Sequence, residues 1–570
     1  MKKKVAIILN IMLVMAITIS ACGTSSNTSS NASSDTSTTT GTTTKKFEPV
    51  TITKLVAAGT NTDFKTKGAI VLKAIFEATG VNLELVEADP TKIKILLAAN
   101  ELPDIIDVLN CAAVKEDLIK GNHVIPLDDL LKSNGSDIVE TMPESITFSK
   151  KFWSNNTGNL YFIPSQVGAD LDGQEMSIGA CIRFDYYKEL GLPKVSTEDD
   201  LLKVLSDMVK KYPKTPDGKT TYGVSSFTDW GMNYQYSYLM DAIYGYQTPS
   251  SGNNTISVSN ETNIAANNYT DLDAPYWKTV GFFYKANKLG IFDKEGLSQK
   301  YDDFAAKMTS GQIFLSEANW DVGNFNTINA KDSKGFMVIP MIPGNIWKGA
   351  ASVGGWSGFE QAITTNCKTP DRAMDLINYL ASFKGSREMQ SGLEGEQWDM
   401  VNGKPVLKDS VLKDKLAGKD NGLVYGQNLS GLSSFTINPV DGEPIGLYNA
   451  KKALSQGMTA LQEDYSKSYS VSYPNEIFEK LINEGTVKNQ SKYNMAASTV
   501  MAPMTSPMKL IDAKLVNLAT ISFARCILSK SDAEFKANQD KAIADFKAAG
   551  ADKLGDFYIK AWNDAVASIK

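Results

Sequence analysis

The sequence predicts a mixed α/β protein built as two lobes, and three observations predict it. Strand and helix signals alternate from Val50 to Leu109 as strand, helix, strand, helix, strand, the order of a mostly parallel sheet. About 520 residues follow Phe47, more than one core ordinarily serves. Apolar residues make up 42% of the chain, ample for burial.

Val50-Thr51-Ile52-Thr53-Lys54 alternates and Leu55 to Ala58 turns apolar, as a core strand does. It runs into Gly59-Thr60-Asn61-Thr62-Asp63. Open α/β sheets bind ligands where a strand ends in such a loop, so Asn61 and Asp63 are candidate ligand contacts. Ala69 to Thr79 is a predicted helix stopped by Gly80. Val81 to Val86 alternates as a strand, and Thr91 to Ala99 is a short apolar helix with Asn100 at its end. Asp104 to Leu109 is the third strand, followed by Asn110, a third candidate at the same strand ends.

The first 22 residues, MKKKVAIILNIMLVMAITISAC, combine three lysines, an apolar stretch and small residues before Cys22. This is a secretory leader over residues 1–21. A cysteine directly after the small residues resembles the lipobox of bacterial lipoproteins, which implies that Cys22 is fatty-acylated and becomes the new N-terminus. The apolar stretch is short for a spanning helix, which needs about 20 apolar residues. Residues 24–44 hold sixteen Ser or Thr in twenty-one positions. Such a segment buries nothing to offset chain entropy and is expected to be disordered. With an r.m.s. reach of about 25 Å, residues 22–46 read as a tether that holds the folded body off the outer face of a membrane.

Net charge is −6, and phosphate binding needs concentrated Lys and Arg, so a nucleic-acid partner is disfavoured. The chain has one histidine, His123. A His-rich zinc site is excluded, and a Ser-His-Asp hydrolase would depend on a residue with no GxSxG segment to serve. Besides Cys22 there are Cys111, Cys181, Cys367 and Cys526, widely spaced. Four cysteines allow three pairings, and the spacing does not choose among them. Buried free thiols are the expectation.

Several segments carry a resemblance. Leu97 to Ile106 (LAANELPDII), Gly158 to Pro164 (GNLYFIP) and Ile182 to Pro193 (IRFDYYKELGLP) are similar, in this order, to segments of the extracellular solute-binding proteins that serve ABC importers of sugars and oligosaccharides. Trp277 to Gly290, Thr309 to Gln312, Cys367 to Ala373, Gly392 to Trp398 and Asn402 to Val406 continue it. The helix after Ser196-Thr197 has Asp199 and Asp200 placed for a capping box, with Leu201, Leu205, Met208 and Tyr212 on one face. Some members carry a calcium loop after this helix. Here the stretch is Pro213 to Thr220, with Asp217 its one obvious charged ligand. Calcium takes six to eight oxygens, so Asp217-Gly218 reads as a plain turn.

The resemblance implies a type II periplasmic-binding-protein-like fold. Each lobe would be a mixed sheet flanked by helices and discontinuous in sequence. Residues 47–170 plus 360–498 would form one lobe and 171–355 plus 505–570 the other, with crossovers near 165–180, 350–362 and 495–508. It also implies a carbohydrate ligand, a permease partner, hinge closure on the ligand, no cofactor and a monomer. A sugar offers flat C–H faces to aromatic rings and hydroxyls to amides, carboxylates and Arg. Four of the eight tryptophans, Trp230, Trp320, Trp356 and Trp398, stand among Gly, Asn, Asp and Gln in loops, where one ring face can meet a sugar. Trp277 and Trp562 lie on helices and read as packing residues. Gln166, Arg183 and Glu394 complete the candidate ligand set.

The length and the loop tryptophans favour an oligosaccharide over a monosaccharide. A lipid-anchored glycoside hydrolase or lyase is an alternative. It would need two carboxylates about 5 Å or about 6.5–9.5 Å apart, drawn from Asp321, Glu394, Glu396 and Asp399, and no hydrolase motif accompanies them. An adhesion lipoprotein would show repeats, and none is evident. The expectation is a binder, not an enzyme, lipid-anchored at the cell membrane on its extracytoplasmic face.

Overall fold

The computed structural model describes residues 47–57, 68–108, 112–168, 178–229, 237–249, 254–341, 344–346, 360–417, 419, 423–489 and 492–569. The expected parallel unit opens it. β1 (Val50–Ala57) leads through α1 (Ala69–Thr79) to β2 (Val81–Ala88). α2 (Pro90–Ala99) leads to β3 (Ile105–Asp107), and α3 (Ala112–Lys120) follows. Gly80 ends α1 with φ 69°, a left-handed cap that glycine adopts without Cβ strain. Asp89 caps α2 by accepting from Lys92 N at 2.7 Å, and Asn100 closes it in the left-handed conformation.

β4 (Ile163–Pro164) is the last first-lobe strand before the chain crosses. The second lobe holds β5 (Ile178–Arg183), α4 (Glu198–Lys211), α5 (Ser237–Tyr244), α6 (Pro275–Lys288), α7 (Tyr301–Thr309), β6 (Leu315–Ala318) and β7 (Phe336–Val338). β8 (Glu360–Ile363) returns to the first lobe and feeds α8 (Pro370–Ala381).

The first sheet has the order β2-β1-β3-β8-β4. β1 pairs parallel with β2 and β3, and β8 is antiparallel to both its neighbours. The C-terminal ends of β1, β3 and β4 and the N-terminal end of β8 therefore share one edge. Both faces are covered, as a largely parallel sheet requires. Ile52, Ile105 and Ile363 enter one core with α1 and α8, while Leu55, Ile106 and Ala362 enter another with Phe148 and Trp153.

The second sheet has the order β7-β5-β6, with Ile178 opposite Ala318 and Val338 opposite Cys181. The start of β5 and the ends of β6 and β7 share an edge. The connections from β4 to β5 and from β7 to β8 thus join an edge of one sheet to an edge of the other. The capping box of α4 forms as expected, Asp200 N donating to Thr197 Oγ1 at 3.1 Å and Thr197 N to Asp200 Oδ2 at 3.0 Å.

One boundary differs from the sequence reading. The sequence reading places residues 461–487, within 360–498, in the first lobe. The helices α9 (Ala460–Tyr469) and α10 (Glu476–Asn483) instead bury Leu461, Tyr465, Phe478 and Leu481 in the second core. Tyr465 OH donates to Val338 O at 2.7 Å. The return to the second lobe therefore falls between Ala453, still in a first-lobe cluster, and Leu461. No Pro- or Gly-rich stretch announces it. α11 (Ser506–Ile527), α12 (Asp532–Ala549) and α13 (Ala551–Ile569) close the chain and pack into the same core.

Asp217 and Gly218 form a turn, the Asp217 carboxylate accepting from Thr215 Oγ1 and facing Lys219 Nζ at 3.1 Å. Cys181 and Cys526 are buried and Cys367 is half-buried; Cys22 and Cys111 lie outside the described residues. Trp277 and Trp562 are packing residues as expected, 3% and 0% exposed. Trp562 Nε1 donates to Asn263 O at 2.9 Å. Trp562→Ala is expected to cost about 3–5 kcal/mol, read as a lower urea midpoint at unchanged helix content.

Candidate functional site

The shared edge of the first sheet carries a buried polar array. Lys54 is 1% exposed on a core strand, because its ammonium finds two partners one and two strands away. Nζ lies 3.1 Å from Asp107 Oδ1 and donates to Gln361 Oε1 at 2.8 Å. The Asp107 contact is an ion pair rather than a well-directed hydrogen bond. Register explains the meeting, since Gln361 stands opposite Asp107, and Lys54 opposite Ile105 two residues earlier. On the other face Lys115 of α3 sits 2.9 Å from Glu360 Oε1 and 3.7 Å above the ring of Trp153. Burial pushes the Asp107 carboxyl above the usual range, against the pull of Lys54. Burial does the same to Glu360, with Lys115 opposing.

The facing edge of the second sheet carries an aromatic counterpart. Trp320 stands two residues beyond β6 and is 49% exposed. Its neighbour Asp321 turns inward, accepting from Ser316 Oγ at 2.6 Å and from Tyr301 OH at 3.0 Å. Burial raises Asp321 above the ordinary carboxylate range, the two hydroxyl donors opposing. Tyr301 N donates to Asp229 Oδ1 at 2.9 Å, and Phe227 packs edge-on against the Tyr301 ring. Tyr301 thus ties the stretch at Thr228-Asp229 to the loop that bears Trp320. Glu317 Oε2 accepts from Leu239 N near the start of α5 at 3.3 Å.

A groove of about 1450 Å³ runs between second-lobe residues, among them Asn319, Asn326 and Gln462, and first-lobe residues, among them Phe435, Tyr448 and Asn449. Asn319 adjoins Trp320 in the chain. Rings and amides from two sides suit a ligand with apolar faces and many hydroxyls. The volume exceeds the about 300–1,000 Å³ of ordinary small-molecule pockets.

The predicted contacts divide into three groups. Trp320 stands exposed at the second-lobe edge. Gln166 lies just past β4 at the first-lobe edge, half-buried, with φ 54° and its N–H donated to Ser430 O at 3.1 Å. Asn61, Asp63, Asn110, Trp230 and Trp356 lie outside the described residues.

Arg183 is a correction. It ends β5 about 17 Å along the strand from the crossover side. Its guanidinium is 4% exposed, forked onto both oxygens of Asp185 at 2.8 Å and stacked on Tyr186. A cation so paired and buried locks the start of the next helix and is turned away from solvent. Trp398 is a second correction. It is 7% exposed and clusters with Leu407, Leu412 and Leu447, its Nε1 donating to Gly392 O at 2.8 Å. The glycines around it form a tight turn that seals the ring. Glu394 sits exposed on that turn, bridged to Trp398. Sequence reasoning passed over Lys54, whose charge in a core strand was the available signal, and Tyr301, which had none.

Trp398→Ala is expected to lower stability by about 3–5 kcal/mol, whereas Trp320→Ala leaves the melting temperature within about 1 °C, by differential scanning fluorimetry. Lys54→Met strands the Asp107 carboxyl in the core at an expected cost of about 3–5 kcal/mol. Because the folded-state value of Asp107 is raised, its favourable contribution is present at low pH and lost as pH rises through that value. The Lys54→Met penalty should therefore be larger at pH 8 than at pH 5 in urea titrations.

No protein-family model matches the chain. A fructooligosaccharide ABC transporter substrate-binding protein, FusA of Streptococcus pneumoniae, is 25% identical over 287 residues, 48% of this chain and 50% of that protein. The chain thus matches about half the length of this curated relative. An HMO-binding solute-binding protein associated with an ABC transporter, from Bifidobacterium longum infantis, superposes with a TM-score of 0.60 at 16% identity, covering 91% of this chain and 99% of that one. The alginate-binding protein AlgQ2, without calcium ion, gives 0.58 at 18% identity, again 91% and 99%. With its inserted antiparallel return strand and two sheets meeting edge to edge, the chain has the two-lobe α/β fold of the solute-binding proteins.

Proposed function

We propose that the protein is the substrate-binding component of an ABC importer and captures an oligosaccharide between its lobes. The observation that carries this reading is a large groove lined by rings and amides from both lobes, with the exposed indole of Trp320 next in the chain to its lining residue Asn319. Trp320 would lie against a sugar's C–H face, and Asn319, Asn449 and Gln462 would exchange hydrogen bonds with hydroxyls. The relative that binds fructooligosaccharide supports both the ligand class and the permease partner.

Capture requires that the ligand favour the closed arrangement of the lobes, so that occupancy changes the shape a permease meets. No bond is made or broken, and the sugar is handed over intact. Cys22 would carry the lipid, residues 22–46 would serve as tether, and the body would work as a monomer outside the membrane.

Isothermal titration against fructooligosaccharides, alginate oligosaccharides and glycan fragments is expected to give one ligand with a dissociation constant in the micromolar range or below. Trp320→Ala should weaken it at least tenfold. Chromatography after overnight incubation should recover the sugar unshortened; shorter products would replace this reading with a hydrolase or lyase. Cys22→Ser should move the protein from the membrane fraction to the medium, and retention in the membrane would refute the anchor.

A further inference from the structure

Where α5 meets a small meander, the structure gathers buried oxygens around one carboxylate. Asp241 lies on α5 and is 4% exposed. It faces a small antiparallel meander of strands Tyr246–Gln247, Ile256–Ser259 and Ala265–Asn267. Thr248 Oγ1 donates to Asp241 Oδ2 at 2.9 Å and lies 3.1 Å from Ser257 Oγ. Ser257 Oγ accepts from Asn268 Nδ2 at 3.0 Å, which also donates to Asn254 O. Thr255, Ser257 and Asn268 are 0%, 1% and 5% exposed.

Asp241 Oδ1, Thr255 Oγ1 and Asn268 Oδ1 have no hydrogen-bond partner among the described residues, and Thr255 adjoins the others through its carbonyl, which accepts from Asn268 N at 2.9 Å. Native interiors leave few such atoms, and each asks for a missing donor or ion. Burial pushes the Asp241 carboxyl up to about 7, opposed by the Thr248 hydroxyl, the Thr248 main-chain N–H and the Ser257 hydroxyl, with no Lys or Arg among these groups. A buried carboxylate without a cation is costly. A proton on Asp241 would remove the charge and donate to a single acceptor. A water would donate at most two hydrogen bonds and leave the charge in place. A hard cation answers the charge and the neutral oxygens together.

We propose that Asp241, Thr255 and Asn268, flanked by the Thr248 and Ser257 hydroxyls, form a binding site for an alkali-metal ion, sodium or potassium. One carboxylate balances one monovalent charge. Calcium would leave a net positive charge in the core, and it draws its affinity from several charged ligands. The site stands apart from the groove and does not depend on what the protein transports.

The test uses the full-length chain exchanged into choline chloride. Sodium or potassium chloride then replaces choline at constant ionic strength while melting is followed by differential scanning fluorimetry. A saturable rise of at least 3 °C is expected for the wild type and none for Asp241→Asn, which removes the charge at constant size. Equal melting in choline and alkali salts, a rise that Asp241→Asn keeps in full, or a rise with calcium chloride alone would each overturn the site. Should Asp241→Asn fail to fold, Thr255→Val is to raise the half-saturating salt concentration at least fivefold, and an unchanged value would overturn the site equally.

Discussion

The molecule depends on one strand running the wrong way. β8 inserts between β3 and β4 with its hydrogen bonds antiparallel to both, and it arrives from the second lobe. Because a ladder cannot tolerate a gap, the first sheet is complete only when the chain has gone out, built most of the other lobe and come back. The two cores are therefore linked covalently at the very edges where their strand ends lie. That placement puts the polar strand ends of one sheet and the aromatic loop of the other on the faces that the connections hold near each other.

Much of the first lobe was legible because its signals are local. Alternation in Val50 to Lys54, the glycine after Thr79 and the asparagine after Ala99 each report on a few neighbouring residues, and each ends its element where the structure does. The third crossing was not legible. Leu461, Tyr465 and Phe478 are as apolar as any first-lobe helix would need; Gly457 ends one helix and Thr459 caps the next, but which sheet the new helix covers is decided by tertiary packing.

The tryptophans show where composition misleads. Trp320 and Trp398 have similar neighbours, acid, amide and small residues, yet one ring is half exposed and the other sealed. The difference lies in what the adjacent polar groups do. Around Trp398 the turn closes on itself, and Gly392 O takes the indole N–H. Beside Trp320, Asp321 is drawn inward by Ser316 and Tyr301, and the ring is left outside. Arg183 erred for a related reason. A guanidinium at a strand end signals a ligand only when no carboxylate two residues on can fork it, and Asp185 does.

Tyr301 makes the two aromatic loops a single inheritance. Its main chain holds Asp229 and its phenol holds Asp321, so an insertion that shifted either loop would slacken the other. Diversification among descendants of this protein should then proceed by swapping side chains at fixed loop lengths, with Tyr301 and both aspartates travelling together. Lineages that lost one of the three would be free to lose the rest.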